Sequence, residues 1–291
     1  MDDVITVGLD GTAESLAAAL WAAREAQACG GKLRMLHARV LLGTEQGGAD
    51  DEEWDRWTKK ITEEAARLLT EEYPRLGIST VLAVGDPEEV LLTAAEESRM
   101  LVLGSQGLGR VASYVLGAVG LRVVARSVAP TVLVRAADGH VGAGPEPSDS
   151  SVLLGASLDE EAEDVWAFAF AYADRHGLGV HAVHARQLPP YAHAAQSTAP
   201  APRLVEGAVY QAERELNALL APWREKYPRV RVRGSVRVDS ASRALTRESA
   251  RASVLVVGRR ARPGSLGPQV GHVLQAVAHH APCPLAVVPH R

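Results

Sequence analysis

From Gly104 the chain reads Gly-Ser-Gln-Gly-Leu-Gly-Arg, and Gly117-Ala118-Val119 follows at the approach to a helical stretch. Glycines in such a setting let the backbone turn tightly and bring its amides against phosphate oxygens. A helix amino terminus adds unpaired N–H groups and a favourable dipole. The segment can serve as a phosphate cradle, and a tight strand-to-helix turn would explain the same glycines. A second position is Asp10, in Val7-Gly8-Leu9-Asp10-Gly11-Thr12, directly after a short apolar run. Its carboxylate can face a ligand or act as a helix cap or turn former.

Enzyme chemistry finds little to work with. The sequence holds no Gly-Lys-Ser/Thr phosphate loop, no clustered Asp/Glu metal site and no nucleophile paired with a base. His37 and His184 sit at strand ends without a second ligand at metal spacing, which favours structural roles. His279 and His280 precede a Pro-rich turn and lack the Cys or carboxylate cluster of a zinc site. Cys29 and Cys283 are too few and too far apart for a disulfide framework, so reduced thiols are expected, with Cys283 a small buried residue.

The elements that must hold these positions follow from the alternation of apolar runs and helical stretches. In the first half, strands are predicted at Val4 to Leu9, Lys32 to Ala38, Ile78 to Val84, Met100 to Leu103 and Thr131 to Val134. Between them lie helical stretches from about Thr12 to Cys29, Asp51 to Tyr73, Pro87 to Ser98 and Ala112 to Ser127. Strands alternating with helices imply parallel strands joined by right-handed crossovers. Such sheets bind ligands outside the carboxyl ends of their strands, which singles out Asp10, Ala38, Gly85 and Gly104 to Gly107.

The pattern is written twice. At one constant offset Gly8 falls on Gly155, Trp21 on Phe168, Gly30 on Gly177 and His37-Ala38-Arg39 on His184-Ala185-Arg186. At a slightly longer offset Gly104 falls on Gly258, Gly117 on Gly271, Val119 on Val273 and Pro130 on Pro284, and the Pro- and Ala-rich stretch Gln187 to Pro202 accommodates the difference. A length of 291 residues is twice the common domain size. The expected organisation is a domain over 1–138, a Gly- and Pro-rich linker over 139–150 and a second domain over 151–291. The fold class is α/β, two tandem doubly wound domains, each with a five-stranded parallel sheet flanked by helices.

With 47% hydrophobic and only 4% aromatic residues, the interior must rest on Ala, Val and Leu. A net charge of -4 and a pI near 6.2 supply no basic field for nucleic acid or an anionic membrane. The start of the chain lacks the charge and apolar run of a signal peptide, and no apolar run reaches membrane-spanning length. A cytoplasmic protein, without nucleic-acid or membrane partners, is expected.

Taken together, these features resemble the universal stress protein family, whose ATP-binding members carry Gly, two residues, Gly, nine residues, Gly, then Ser or Thr. Gly104, Gly107 and Gly117 match that spacing. The resemblance extends to Leu36-His37-Ala38, Gly85-Asp86-Pro87 and His280-Ala281-Pro282-Cys283-Pro284, so it covers both halves. It implies a Rossmann-like fold binding an adenine nucleotide through Asp10 and Gly11, with Ala38 on the adenine side. Gly104, Gly107 and Gly117 would hold the phosphates and Ala118 and Val119 the helix start. ATP is the implied ligand, with AMP or ADP as alternatives and Mg2+ in attendance. Ala118 departs from the pattern, since binders have a hydroxyl there. One hydrogen bond to a charged group contributes roughly 1.5–3 kcal/mol, so weaker binding is expected, with a shift toward AMP or ADP.

The second half departs further. Asp10 becomes Ser157, Gly11 becomes Leu158, Gly107 becomes Ala261 and Ala118 becomes His272, while Arg259, Arg260 and Arg262 read as a solvated basic turn. The expectation is a nucleotide-responsive regulatory protein without catalysis, binding in the first domain only. It would assemble as an intramolecular pseudo-dimer or a homodimer and act on an unknown protein partner. A nucleotide-independent adaptor and a slow ATPase are the competing readings.

Overall fold

The computed structural model describes residues 3–39, 49–105, 118–136, 151–158, 162–187, 201–260 and 270–290. Within them the first unit runs β1 (Val4–Gly8), α1 (Ala13–Cys29), β2 (Lys32–Arg39), α2 (Ala49–Glu72), β3 (Gly77–Val84), α3 (Pro87–Glu96), β4 (Met100–Gly104), α4 (Ala118–Arg126) and β5 (Thr131–Val134). The second unit runs β6 (Ser151–Gly155), α5 (Glu163–His176), β7 (Gly179–Ala185), α6 (Ala201–Lys226), β8 (Val232–Arg237), α7 (Ala241–Glu248), β9 (Ala252–Arg260), α8 (His272–His280) and β10 (Leu285–His290). The chain divides into two compact units, one holding β1 to β5 and the other β6 to β10. The proposed linker, Gly107, Gly117 and Ala261 lie outside the described residues.

Strand order is β3-β2-β1-β4-β5 in the first unit and β8-β7-β6-β9-β10 in the second, and the described pairings within each are parallel. The chain leaves β1 in one direction and returns on its other side at β4, so each unit is a doubly wound sheet with its switch point beside its first strand. The central strands are apolar on both faces: Val4, Ile5, Leu101 and Val102 in the first unit, Leu153, Leu154, Leu255 and Val256 in the second, are all buried.

Small side chains set the spacing of the helix layer. Helix α1 buries Ala17, Ala18, Ala19, Ala22, Ala23 and Ala26 together with Trp21, so its backbone approaches the sheet closely. It starts at Thr12, whose hydroxyl accepts from the Ser15 amide at 3.1 Å. It stops at Gly30, whose φ of +68° lets the amides of Gly30 and Gly31 turn back to Gln27 and Ala26. Helix α5 ends the same way on Gly177 at φ +65°, which is why both glycines recur in the repeat. Its start differs: the cap position is Ala162, which supplies no side-chain hydrogen bond. Among the described residues no helix is long and apolar enough to cross a membrane.

Helix α4 is tied to α3 by charge. The buried carboxylate of Glu88 accepts from Arg126 Nη1 at 2.7 Å and from Arg122 Nε, and Arg126 also reaches Glu89 at 2.9 Å. The hydrogen bond from Arg126 is the chief reason that the Glu88 carboxyl sits below the usual carboxylate range. Glu88→Gln is expected to lower stability by only about 1 kcal/mol, because both arginines are nearly half exposed and screened by water. Urea unfolding at neutral pH checks this, and an unchanged midpoint would remove the pair from the forces that hold α4.

Candidate functional site

Strand register brings the predicted positions together. Gly8 of β1 pairs with Leu36 of β2, so Asp10 and Ala38 each follow that pair by the same short step. On the other side Val7 pairs with Val102 of β4, which sets Gly104 just past the end of β1. Asp10, Gly11, Ala38 and Gly104 therefore share the carboxyl edge at the switch point, where parallel sheets receive ligands. Ala118 and Val119 open α4, whose described contacts anchor its other end through Arg122 and Arg126.

The Asp10 turn is built by short-range hydrogen bonds. Both the amide and the hydroxyl of Thr12 donate to Asp10 Oδ1, at 3.0 and 2.6 Å. Asp10 is thus a turn former, with its carboxylate oriented at an exposed position. Gly11 follows at φ +81°, a conformation that favours glycine, and a Cβ there would stand 2.5 Å from Ile61 Cδ1 of α2. Helix α2 lies directly over the turn.

His37 fixes the end of β2. Its Nδ1–H donates to the Leu9 carbonyl at 2.8 Å, and the Thr58 hydroxyl lies 3.5 Å from its Nε2. In the second unit His184 Nδ1 makes the equivalent bond to Ala156 at 3.0 Å. The histidine of each repeat is a cross-strand tie that holds the strand ends in place.

Gly104 has a packing reason for lacking a side chain. A Cβ there would stand 2.6 Å from the Glu14 carbonyl carbon and the Ser15 amide nitrogen of α1. The next residue, Ser105, gives its amide to the Val134 carbonyl at 2.7 Å, while its hydroxyl is buried with no hydrogen-bond partner among the described residues. A buried hydroxyl left unpaired is costly, and a ligand oxygen beside it would satisfy it.

Two features were not drawn from the sequence. One is the Ser105 hydroxyl, whose burial without a partner among the described residues shows only in three dimensions. The other is Trp57 of α2, 42% exposed, with its ring centroid 6.0 Å from that of His37 in an edge-on arrangement. A Cβ on Gly11 would lie 3.3 Å from Trp57 Cζ2, so the indole borders the Asp10 turn. Among the described residues no group of three or more His, Cys, Asp or Glu side chains forms a metal-ligand set.

At the corresponding edge of the second unit, Ser157 and Leu158 replace the Asp10-Gly11 turn. Gly258 follows the buried run of β9, which ends at Val257, and a Cβ there would meet the His290 ring at 2.9 Å. Burial holds the Arg259 guanidinium below its usual pKa.

The universal stress protein family model matches this chain twice, over residues 1–135 and 150–289. The universal stress protein Rv2005c of Mycobacterium tuberculosis is 32% identical over 292 residues, covering 97% of this chain and 96% of that protein. Another from the same organism, Rv2623, is 28% identical and covers 97% of this chain and 95% of its own length. The crystal structure of a universal stress protein from Archaeoglobus fulgidus superposes with a TM-score of 0.70 over 99% of both chains at 17% identity, a likeness of fold. With both repeats matched and relatives of the same tandem length, the chain belongs to the universal stress protein family.

Proposed function

We propose that the first unit binds an adenine nucleotide and that the protein acts as a regulatory, stress-adaptation protein without a catalytic step of its own. The observation that carries this reading is the convergence of the Asp10 turn, Ala38, Gly104 and a Ser105 hydroxyl without a partner among the described residues on the switch-point edge of one sheet. Asp10 would hold the ribose hydroxyls, Ala38 would lie against the base, and the Ser105 hydroxyl would face the phosphates. The segment from Gly107 to Gly117 belongs to this reading through the family spacing alone. ATP fits the family pattern, and Ala118 shifts the preference toward AMP or ADP. Magnesium would arrive with the phosphates. In the second unit Ser157 offers no carboxylate, so one nucleotide per chain is the expected stoichiometry. The same reading places the protein in the cytoplasm, as a pseudo-dimer or homodimer acting through a protein partner.

Denaturing the purified full chain and identifying the released small molecule tests the ligand class, and calorimetry on the stripped protein gives the stoichiometry. Asp10→Asn keeps an oxygen for the Thr12 amide but removes the charge. It is expected to weaken adenosine and AMP binding by about tenfold or more, the worth of a hydrogen bond to a charged group. Unchanged affinity would leave Asp10 a turn former alone, and two nucleotides per chain would refute the asymmetry. Phosphate release from ATP above the rate in buffer would refute the absence of catalysis.

A further inference from the structure

We infer that Trp57 is the aromatic wall on which the base of the bound nucleotide stacks. This rests on the nucleotide reading above and extends it to a residue outside the glycine and aspartate motifs. The indole is 42% exposed, whereas Trp21 and Trp166 are each 5% exposed and belong to the interior. It borders the Gly11 turn and the His37 ring. Ile61, one turn further along α2, fills the space over Gly11, and His37 meets the indole edge-on while its own ring is held by the Leu9 carbonyl. The neighbours at this edge are small: Gly11 has no side chain and Ala38 only a methyl. An exposed, positioned indole beside the side-chain-free Gly11 gives a flat base a surface to lie on. Base stacking on an aromatic ring needs no hydrogen-bond match, so the wall sets affinity for the base and leaves the phosphates to the loop.

The test uses the full chain stripped of ligand, with Trp57→Phe and Trp57→Leu variants titrated with adenosine, AMP and ATP. Leucine keeps apolar cover over the Gly11 turn and removes the stacking ring. Thermal unfolding of each variant checks that the fold is retained. Trp57→Phe is expected to bind within about threefold of wild type, and Trp57→Leu about tenfold more weakly. The loss should be the same factor for adenosine, AMP and ATP. Adenosine should also quench the wild-type tryptophan fluorescence, and the Phe variant should lose that quench while still binding. Wild-type affinity in the Leu variant overturns the wall and leaves the nucleotide reading standing. A loss greater for ATP than for adenosine places the effect on the phosphate side and also overturns it. A wild-type protein that binds none of the three ligands overturns both.

Discussion

Gly104→Ala is expected to lower the stability of the first unit by about 1–3 kcal/mol, the usual cost of forcing a methyl group into a packed interior. The added Cβ would stand 2.6 Å from the Glu14 carbonyl carbon and the Ser15 amide nitrogen, and 2.9 Å from the Glu14 oxygen. These are backbone atoms in the first turn of α1, so no side chain can swing aside. Nor can the helix retreat, because its start is held by the Thr12 cap and the Asp10 turn. Gly30→Ala is the control: it meets nothing within 4 Å but occupies φ +68°, so its cost is conformational and should stay near 1 kcal/mol. Thermal unfolding followed by circular dichroism, without nucleotide, should rank Gly104→Ala below Gly30→Ala and both below wild type. Equal melting temperatures for Gly104→Ala and wild type would mean that α1 does not rest on the end of β4.

The second unit keeps the first glycine of the motif as Gly258, although Ser157 has replaced the aspartate of the site. There a Cβ would meet the His290 ring at 2.9 Å and Val165 at 3.1 Å. A glycine kept beside a turn in which Ser157-Leu158 stands for Asp10-Gly11 is explained by packing at the strand end. The first motif glycine therefore reports the fold as well as marking the edge, and the chemistry of the proposed site rests on Asp10, Ala38 and Ser105.

Much of the architecture was legible because apolar runs and helical stretches alternate without ambiguity. The predicted strand Met100 to Leu103 is β4 at Met100–Gly104, and Thr131 to Val134 matches β5. Helix α2, predicted from Asp51 to Tyr73, runs Ala49–Glu72. The insertion expected near Gln187 to Pro202 gives way to α6 at Ala201, which places Pro202 in a first turn, where its missing amide costs no helical hydrogen bond. The features that stayed hidden depend on long-range packing. Nothing in the acidic α2 sequence says that Trp57 and Ile61 would settle over Gly11, far away in the chain. The Glu88 pairs with Arg122 and Arg126 likewise join two helices that sequence spacing leaves independent. The Ser105 hydroxyl, without a partner among the described residues, is visible only once burial is known.

The second unit is expected to lose about 3 kcal/mol of stability as pH falls from 6.5 to 4, through a single buried histidine. His181 lies on β7, where its Nδ1 accepts from Arg233 Nη2 at 3.0 Å and its Nε2–H donates to Ser235 Oγ at 2.8 Å. That arrangement requires the neutral ring. Burial first, then the Arg233 charge, with Arg237 adding to them and Glu248 opposing, lowers its pKa from 6.5 to about 4. Between these values the unfolded chain binds a proton that the native protein refuses, so acid favours unfolding. The stabilisation is complete above the unfolded value and lost as pH falls toward the folded one. The Glu88 and Glu248 carboxyls are held below 4.5, so their own contributions start to fade only as pH falls toward 4.5 and leave the range from pH 7 to pH 5 to His181. Urea unfolding should show about 2 kcal/mol lost between pH 7 and pH 5 in the wild type. His181→Gln keeps hydrogen-bonding groups at the site but cannot titrate, so it should lose that dependence while starting less stable at pH 7. Parallel pH profiles for the two proteins would mean that the imidazole takes up its proton without disturbing Arg233, which would sink the argument for a ring kept neutral by its surroundings.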